Sequence, residues 1–424
     1  MRAKFLNNVM EIVAITIILF LVNIRAMRFF SLYPATATLG GQAWREVFLW
    51  VLTAGLAFWL LIRRKMLGEY VSAWKKHWPL FLFIGIAFLS LSWSVSPGAT
   101  LYRALVLLFS SLLGAYIGLR YNIRELLKIL SWFGVVVVVF CFALALRFPG
   151  FGTAEGSPYF GAWNGIFWHR NHMGSILALL NSVFLIRISL GLRERDKRTI
   201  LDAIFYLLSI VLVVLSRSAT GYILLILLNF LVLLVWAWLK ARDRLRPWHY
   251  YLVLGGFIVV GVLISLNFDF VMGLLNRSSS LTGRVPMWMY LLGHVINQRP
   301  WFGYGFGAIW TIEAFRIQVQ RAVGWPSPVL IGDNGFIDIL LHVGIVGLAI
   351  FLVNFILMYV ATIKLAFRRR TIEDFFPLVV MIYTLAANIS FSLFLEVEAF
   401  VWLLMVAGWF AAEANLKHSD SSRG

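Results

Sequence analysis

The sequence predicts an all-helical protein that crosses a membrane many times and carries one large loop outside it. About twelve apolar stretches alternate with polar loops, and stretches such as 10–22 and 252–264 approach the length that spans a bilayer. Hydrophobic residues form 61% of the chain and charged residues only 13%, against about half and about a quarter in soluble domains. Basic residues also recur in every second loop, as expected of a chain that crosses repeatedly.

The chain is expected to form a single membrane domain over residues 1–424, because about twelve spans leave no room for a separate soluble domain. Cys141 is its one cysteine and lies in an apolar run, which excludes a disulfide within the chain. Arg2 and Lys4 precede the first apolar segment, and no convincing cleavage site follows it. We therefore expect an uncleaved first helix.

The positions of the charges indicate which loops face the cytoplasm. By the positive-inside rule, the five basic loops lie inside the cell, and an even number of spans puts both termini there too. The net charge of +18 then reflects topology and contact with anionic lipids, so no nucleic-acid partner is expected. The five loops contain Arg63, Arg64, Lys65, Lys75 and Lys76; Arg120, Arg124 and Lys128; Arg193, Arg195, Lys197 and Arg198; Lys240, Arg242, Arg244 and Arg246; and Lys364, Arg368, Arg369 and Arg370.

The largest external loop runs from residue 269 to residue 334, far beyond the usual length of a connection. It contains four tryptophans and a helix-like segment, 286–296, whose apolar residues suit a membrane surface. We interpret this loop as a folded cap over an external cavity.

Several arginines occur on the external side, where basic residues should be scarce. A single arginine at a helix end often reaches the lipid headgroups without further function. Arg217 is different, because the hinge 216–221 between two apolar helices is so short that its side chain must lie near the membrane surface. Together with Arg284 it would form a site for a phosphate or diphosphate, since guanidinium groups match phosphate oxygens. The full external set is Arg103, Arg147, Arg170, Arg217, Arg284 and Arg299.

Metal chemistry has little support in the sequence. No Asp-x-Asp pair occurs, and the external carboxylates are few and scattered, so neither a magnesium site nor a cofactor is expected. His169 and His172 lie three residues apart, as zinc ligands on one helical face do, but no third ligand is apparent nearby. The alternative is a polar cluster at the start of a helix.

Four segments occur in an order typical of a known family. They are WHRNHMG (168–174), SRSATG (216–221), TGR (282–284) continuing to Trp288 and PWFGYG (300–305), and DNG (333–335) continuing to GIVGL (344–348). Together they resemble the O-antigen ligase and Wzy-type O-antigen and exopolysaccharide polymerase superfamily, over roughly residues 90 to 360. Taken alone, the glycines of PWFGYG and Gly307 indicate only tight turns.

The resemblance implies a fold like that of the C-type glycosyltransferases, with a periplasmic loop covering a cavity open to the outer leaflet. It implies transfer of a glycan from undecaprenyl diphosphate to an acceptor hydroxyl, without a metal and with inversion. Arg217 and Arg284, with Arg170 beside them, would hold the diphosphate. The expected partners are the lipid-linked oligosaccharide, membrane lipids and a chain-length regulator or envelope synthesis complex. The expected location is the bacterial inner membrane, with the active site on its periplasmic face.

One departure from the family concerns the base. The ligases have His-Asn in the last motif, whereas this chain has Asp333-Asn334, which favours a polymerase that joins repeat units over a ligase that modifies lipid A core. Asp333 could accept the acceptor's proton, or it could simply cap the helix that follows. His172, His169 and His294 are the alternative bases.

Two other classes remain open at this point. A transporter of lipid-linked sugars would also use external arginines, but it would more often show discontinuous helices or an internal repeat, and neither is clear in the sequence. A non-enzymatic scaffold of an envelope synthesis complex would leave Arg217 in its hinge unexplained.

Overall fold

The computed structural model describes residues 11, 15, 16, 19, 41–154, 159–241, 284–325, 329–389, 392 and 399–421. Helices dominate these residues, and a β-bridge joins Thr153 to Trp163. The main helices are α1 (Gly41–Arg63), α2 (Leu67–Lys76), α3 (Trp78–Leu89), α4 (Pro97–Arg120), α5 (Ile123–Arg147), α6 (Arg170–Glu194), α7 (Thr199–Leu215), α8 (Ala219–Ala241), α9 (Arg284–Tyr290), α10 (Glu313–Val323), α11 (Gly335–Arg369), α12 (Phe376–Asn388) and α13 (Ala399–Ser421).

Six of the described helices are long and apolar enough to cross a membrane: α4, α5, α6, α8, α11 and α13. Three shorter apolar helices accompany them, Val51–Arg63, Trp78–Ser92 and Thr199–Leu215. This confirms an all-helical polytopic membrane protein. The total of about twelve spans stays a prediction, because the stretch 252–264 and most of 10–22 lie outside the described residues.

Glycines allow the closest contacts between the helices. A Cβ at Gly118 of α4 would lie 2.3 Å from the carbonyl oxygen of Ala407 in α13. A Cβ at Gly221 of α8 would lie 2.9 Å from the Cα of Gly174 in α6. Small residues at such crossings let two backbones approach, which is how helices pack in membranes.

The helices alternate in direction, so the bundle has two distinct ends. The basic end carries the basic clusters, and there Arg124 at the start of α5 reaches Glu194 at the end of α6. The site end carries the beginnings of α6 and α11 and the hinge between α7 and α8. The described basic residues of the loops predicted to face the cytoplasm therefore lie at one end of the bundle. The described residues of the four motifs lie at the other end.

Helix α11 is interrupted near the site end. Gly344 has φ 65° and ψ −166°, which no helical residue adopts. The loop segment 300–305 fills the break: the Tyr304 amide donates to the Leu341 carbonyl at 2.8 Å, and the Ile345 amide donates to the Pro300 carbonyl at 2.8 Å. The freed backbone groups are thus paired within the protein, as a membrane helix requires.

This interruption is a discontinuous helix, a feature that was not clear in the sequence. A loop segment pairs with the freed backbone at the break, so the interruption does not by itself favour a transporter. Gly303, Gly305 and Gly307 all have positive φ, which confirms their predicted role in turns. Glycine is also required sterically at position 303, because a Cβ there would lie 2.6 Å from the Leu341 carbonyl oxygen.

The described part of the long loop is folded. Helices α9 and α10 share a separate hydrophobic cluster with the start of α11, and its most buried members are Met287, Leu291, Val319 and Leu341. Since this cluster is anchored on a spanning helix, the loop and the bundle meet at the site end. The boundaries 1–424 and 269–334, and a cavity beneath the loop, stay predictions.

Candidate functional site

An ion pair between the long loop and the start of α11 forms the centre of the site. Arg284 is the first residue of α9, and its Nε donates to Oδ2 of Asp333 at 2.8 Å. The two side chains are only 17% and 16% exposed, so the contact is enclosed yet reachable from outside. Both residues belong to the predicted site, and they come from opposite ends of a 49-residue stretch.

Asp333 is not the helix cap. The residue that caps α11 is Asn334, whose side chain accepts hydrogen bonds from the amides of Phe336 at 3.0 Å and Ile337 at 3.2 Å. The alternative that made Asp333 a cap is therefore wrong by one residue. Because its neighbour performs that task, the Asp333 carboxylate points at Arg284 instead.

Burial raises the pKa of Asp333 above its ordinary value, and the charge and hydrogen bond of Arg284 oppose that shift. The charge of His172 opposes it as well, which places this histidine in the same electrostatic neighbourhood. A carboxylate with a raised pKa is a stronger proton acceptor than an ordinary aspartate. The carboxylate group is thus held in a setting that suits a general base.

The two histidines of WHRNHMG lie at the start of α6. His169 is the N-cap, and its Nδ1 accepts a hydrogen bond from the amide of Asn171 at 3.2 Å. This confirms a polar cluster at a helix start. Desolvation, followed by the charges of His172, Arg170 and Arg284, lowers the pKa of His169 to about 3. His172 is buried in the first turn of the helix.

Arg170 is committed to the protein's own backbone. Its guanidinium lies 3.5 Å from the centre of the Tyr159 ring, and Nη1 donates to the carbonyl of Arg217 and, at 3.5 Å, to that of Ser216. The side chain is buried. This arrangement ties the start of α6 to the hinge between α7 and α8, which suits a supporting role more than direct contact with a ligand.

Arg217, in contrast, is exposed. Its backbone is left-handed, with φ 50°, directly after the end of α7. The side chain reaches over the segment before α6, where Nη1 donates to the Phe160 carbonyl at 3.4 Å. A hydrogen bond of that length to a single carbonyl leaves a guanidinium that an anion can readily attract.

The hinge is held tightly against α6. The Ser218 hydroxyl donates to the side-chain oxygen of Asn171 at 3.0 Å and accepts from the Gly221 amide at 3.1 Å. A Cβ at Gly174 would lie 2.9 Å from that of Ser218. The small residues of SRSATG and WHRNHMG therefore serve to bring Arg217 next to α6.

The structure brings most of the predicted site residues together. Asp333, Arg284, His172, His169 and Arg170 act on one another electrostatically. Through its carbonyl contact with Arg170, Arg217 joins the same end of the bundle. The role of each in binding or catalysis stays a prediction.

His294 lies apart from these residues in the turns that follow α9. It is exposed, and its ring stacks on that of Tyr290 at 5.1 Å between centroids. Three further external arginines contact aromatic or loop groups: Arg147 lies over Phe148, Arg299 lies over Tyr304, and the Arg103 side chain packs under Gly307.

Three side chains that support the pair, those of Asp338, Trp310 and Trp288, have contacts that the sequence did not predict. Asp338, buried in the first turns of α11, accepts hydrogen bonds from the indole of Trp310 at 2.7 Å and the amide of Gly332 at 3.2 Å. The indole of Trp288 donates to the Gly332 carbonyl at 2.8 Å. A carboxylate inside an apolar helix was the available signal, because such groups in membrane proteins are generally functional or paired.

Among the described residues, no three or more His, Cys, Asp or Glu side chains lie close enough to hold a metal ion. The geometry around Asp333 instead supplies guanidinium groups. Such groups neutralise phosphate charge without a metal. Metal independence itself stays a prediction.

Comparison with known proteins agrees with the motifs. A family model described as O-antigen ligase matches residues 204–352 and so includes Arg217, Arg284 and Asp333. The exopolysaccharide production protein ExoQ of Rhizobium meliloti (strain 1021) is 25% identical over 348 residues, which is 79% of this chain and 74% of that protein. These matches confirm the resemblance to the O-antigen ligase and Wzy-type polymerase superfamily. They support a ligase-type or polymerase-type function in making O-antigen or exopolysaccharide.

Proposed function

We propose that the protein is a membrane glycosyltransferase that moves a glycan from undecaprenyl diphosphate to an acceptor hydroxyl and thereby joins repeat units of a polysaccharide. The observation that carries the proposal is the enclosed pair of Arg284 and Asp333. It sets an anion-binding group against a proton-accepting group at the end of the bundle opposite to the basic loops. Transfer from a diphosphate to a hydroxyl uses both kinds of group, one to stabilise the leaving diphosphate and one to accept the hydroxyl proton.

Arg284 and Arg217 bind the diphosphate in this proposal. A guanidinium offers planar paired donors that match phosphate oxygens, and its charge stabilises the diphosphate as it leaves. The exposure of Arg217 leaves its side chain accessible to a lipid headgroup. Arg170 acts as a support, because its hydrogen bonds to backbone carbonyls fix the hinge.

Asp333 is the general base. The acceptor oxygen attacks the anomeric carbon while its proton passes to the Asp333 carboxylate. The bond from that carbon to the diphosphate oxygen breaks, and its electron pair leaves with the diphosphate. Attack opposite to the leaving group inverts the anomeric configuration. No metal takes part, since the two arginines supply the counter-charge.

Donor binding also activates this base. Without a donor, Arg284 holds the pKa of Asp333 down, although burial still raises it overall. When phosphate oxygens engage the guanidinium, the carboxylate shares its partner with a strong anion and becomes more basic. The base is therefore strongest when a donor is present.

His169 and His172 are less suited to this role. Nδ1 of His169 is occupied as a helix cap, and a pKa of about 3 makes its imidazole a weak base at neutral pH. His172 is buried, and its charge lowers the pKa of the Asp333 carboxylate. His294 lies outside the cluster.

A polymerase is favoured over a ligase because the chain has an aspartate where the ligases have a histidine, and because the relative is a protein of exopolysaccharide production. The proposed location is the bacterial inner membrane, with the basic end and both termini in the cytoplasm and the site on the periplasmic face. A chain-length regulator or an envelope synthesis complex is the proposed protein partner.

Purified protein incubated with lipid-linked oligosaccharide, without any nucleotide sugar, tests the proposal. Membranes of a deletion strain, in which this donor accumulates, supply it. We expect longer lipid-linked chains and released undecaprenyl diphosphate. Unchanged donor in detergent and in liposomes would refute the enzyme, and movement of intact donor across liposomes would identify a transporter.

The surface polysaccharide of the same deletion strain distinguishes the two enzyme reactions. Loss of a polymerase leaves single repeat units on the acceptor. Loss of a ligase leaves long chains that are attached to nothing but the carrier lipid, and this profile would redirect the proposal to the ligase reaction.

A further inference from the structure

Asp333 has an unusual backbone conformation for its place in the chain. Its φ is 50°, in the left-handed region that residues with a Cβ seldom enter. Arg195 and Arg370 share this conformation, but each ends a helix, where a left-handed residue is common. Asp333 precedes a helix cap instead, so the helix that follows does not explain its conformation.

Side chains hold the two peptide groups that flank Gly332, just before Asp333. The carbonyl of Gly332, in the peptide that joins it to Asp333, accepts the indole N–H of Trp288 at 2.8 Å. The amide of Gly332, in the peptide that joins it to Ile331, donates to both carboxylate oxygens of Asp338, at 3.2 and 3.3 Å. Because φ of Asp333 is measured about the bond next to the first of these peptides, fixing the two peptides limits that angle.

Space reinforces the hydrogen bonds. A Cβ at residue 332 would lie 2.5 Å from Oδ1 of Asp338, so a larger residue there would displace this carboxylate. Asp338 is itself anchored by the indole of Trp310 at 2.7 Å and by the hydroxyl of Ser392. The Asp338 carboxylate therefore accepts hydrogen bonds from Trp310, Gly332 and Ser392 and holds these three segments together.

Trp288 and Arg284 also share one face of α9, because they lie four residues apart. One helix thus contacts Asp333 twice, at its side chain through Arg284 and at its preceding peptide through Trp288. We propose that Trp288 and Asp338 are positioning residues that hold the two peptides flanking Gly332 and so keep the Asp333 carboxylate aimed at Arg284. This inference rests on the proposed role of Asp333 as the base.

The test compares Trp288→Phe with wild type in the donor assay across a pH range. Phenylalanine keeps an aromatic ring but removes the N–H donor. Since a small misplacement of a catalytic group has a large effect on rate, we expect turnover to fall about tenfold while KM for the lipid-linked donor stays unchanged. A carboxylate that drifts from Arg284 loses the group that lowers its pKa, so the acidic limb of the rate profile should move to higher pH.

Asp338→Asn is the stronger variant, with an expected loss of about a hundredfold. The amide presents a donor where the carboxylate accepts from Gly332 and Ser392. Trp236→Phe makes the same aromatic change on α8 near the basic end and should leave rate and profile unaltered. Size-exclusion profiles show whether each variant folds. If Asp338→Asn does not fold, the result for Trp288→Phe alone decides the test.

An unshifted acidic limb in Trp288→Phe, in a protein whose Asp333→Asn variant is inactive, would overturn the inference and leave the proposed function in place. A fall in turnover matched by an equal rise in KM, with no change in the pH profile, would also overturn the inference. Such a result would indicate a non-specific change in the structure of the site. Full activity of Asp333→Asn would overturn the proposed function, and the inference with it.

Discussion

Two pairs of arginine and carboxylate, one at each end of the bundle, lie in different surroundings. At the basic end, Arg124 contacts Glu194 at 2.8 Å, and both side chains are half exposed. At the site end, Arg284 and Asp333 are mostly enclosed. Water and salt screen the first kind of pair, so it contributes little beyond joining helix ends. The second kind is much more sensitive to any anion that approaches it.

The difference indicates that arginines serve two purposes at separate ends of the bundle. Those at the basic end set the topology, and those at the site end belong to the proposed site. Arginines at the basic end follow from the positive-inside rule, and their carboxylate partners come from the ends of neighbouring helices. Arg284 has no such explanation, because it lies at the end where basic residues should be scarce. Substitutions at the two ends should therefore differ in their effect on transfer.

The largest effect is expected from removing an arginine at the site end. Arg284→Ala and Arg217→Ala should each lower transfer by about a thousandfold or more, since each removes a charge that stabilises the leaving diphosphate. The donor assay measures this loss. Arg124→Ala is the matched control at the basic end and should keep near-normal turnover. Equal losses in all three variants would erase the distinction between the ends.

Asp333→Asn should lower the rate by about a hundredfold to a thousandfold, because an amide cannot accept the acceptor's proton. The helix that follows keeps its cap, which Asn334 supplies, so thermal stability in detergent should change little. A normal rate in this variant would transfer the role of base to a histidine or remove it altogether.

Arg284→Lys should change the pH dependence more than the amount of folded protein. Wild-type activity falls as the pH drops through the pKa of Asp333, since the base must be deprotonated. Lysine keeps the charge, which is the larger contribution of Arg284 to lowering this pKa, but loses the Nε hydrogen bond to Asp333 that adds to it. The acidic limb should therefore move to higher pH in rate measurements, and an unmoved limb would show that Asp333 is not the group that titrates.

Gly344→Ala tests the broken helix on which the site end depends. A Cβ at this position would lie 2.3 Å from the carbonyl of Trp301, in a backbone conformation that alanine avoids. We expect a loss of about 2 to 4 kcal/mol in stability, seen as a lower unfolding temperature in detergent. Gly293→Ala, whose Cβ would meet nothing within 4 Å, is the control and should change stability by less than about 0.5 kcal/mol.

The helical architecture could be predicted because apolar runs and basic loops are local properties of the sequence. The grouping of Arg217, Arg284 and Asp333 at one end came from motif order and from the alternation of loops. The structure joins two of them in an ion pair across 49 residues, a contact that no local pattern contains.

Other features could not be read from the sequence for definite physical reasons. Asp333 and Asn334 are both good caps, and only the geometry shows which one caps the helix. The break at Gly344 depends on a loop segment some forty residues earlier that pairs with the freed backbone. Whether an arginine serves a carbonyl, as Arg170 does, or remains exposed, as Arg217 does, depends on the tertiary fold.

The most direct test of the central claim is an experimental structure of the protein in nanodiscs with undecaprenyl diphosphate. We predict that the diphosphate lies at the site end, with phosphate oxygens about 3 Å from the guanidinium groups of Arg284 and Arg217. The Asp333 carboxylate should then face the position of the departing sugar. A diphosphate bound at the basic end, or one that leaves the pair of Arg284 and Asp333 untouched, would contradict the account.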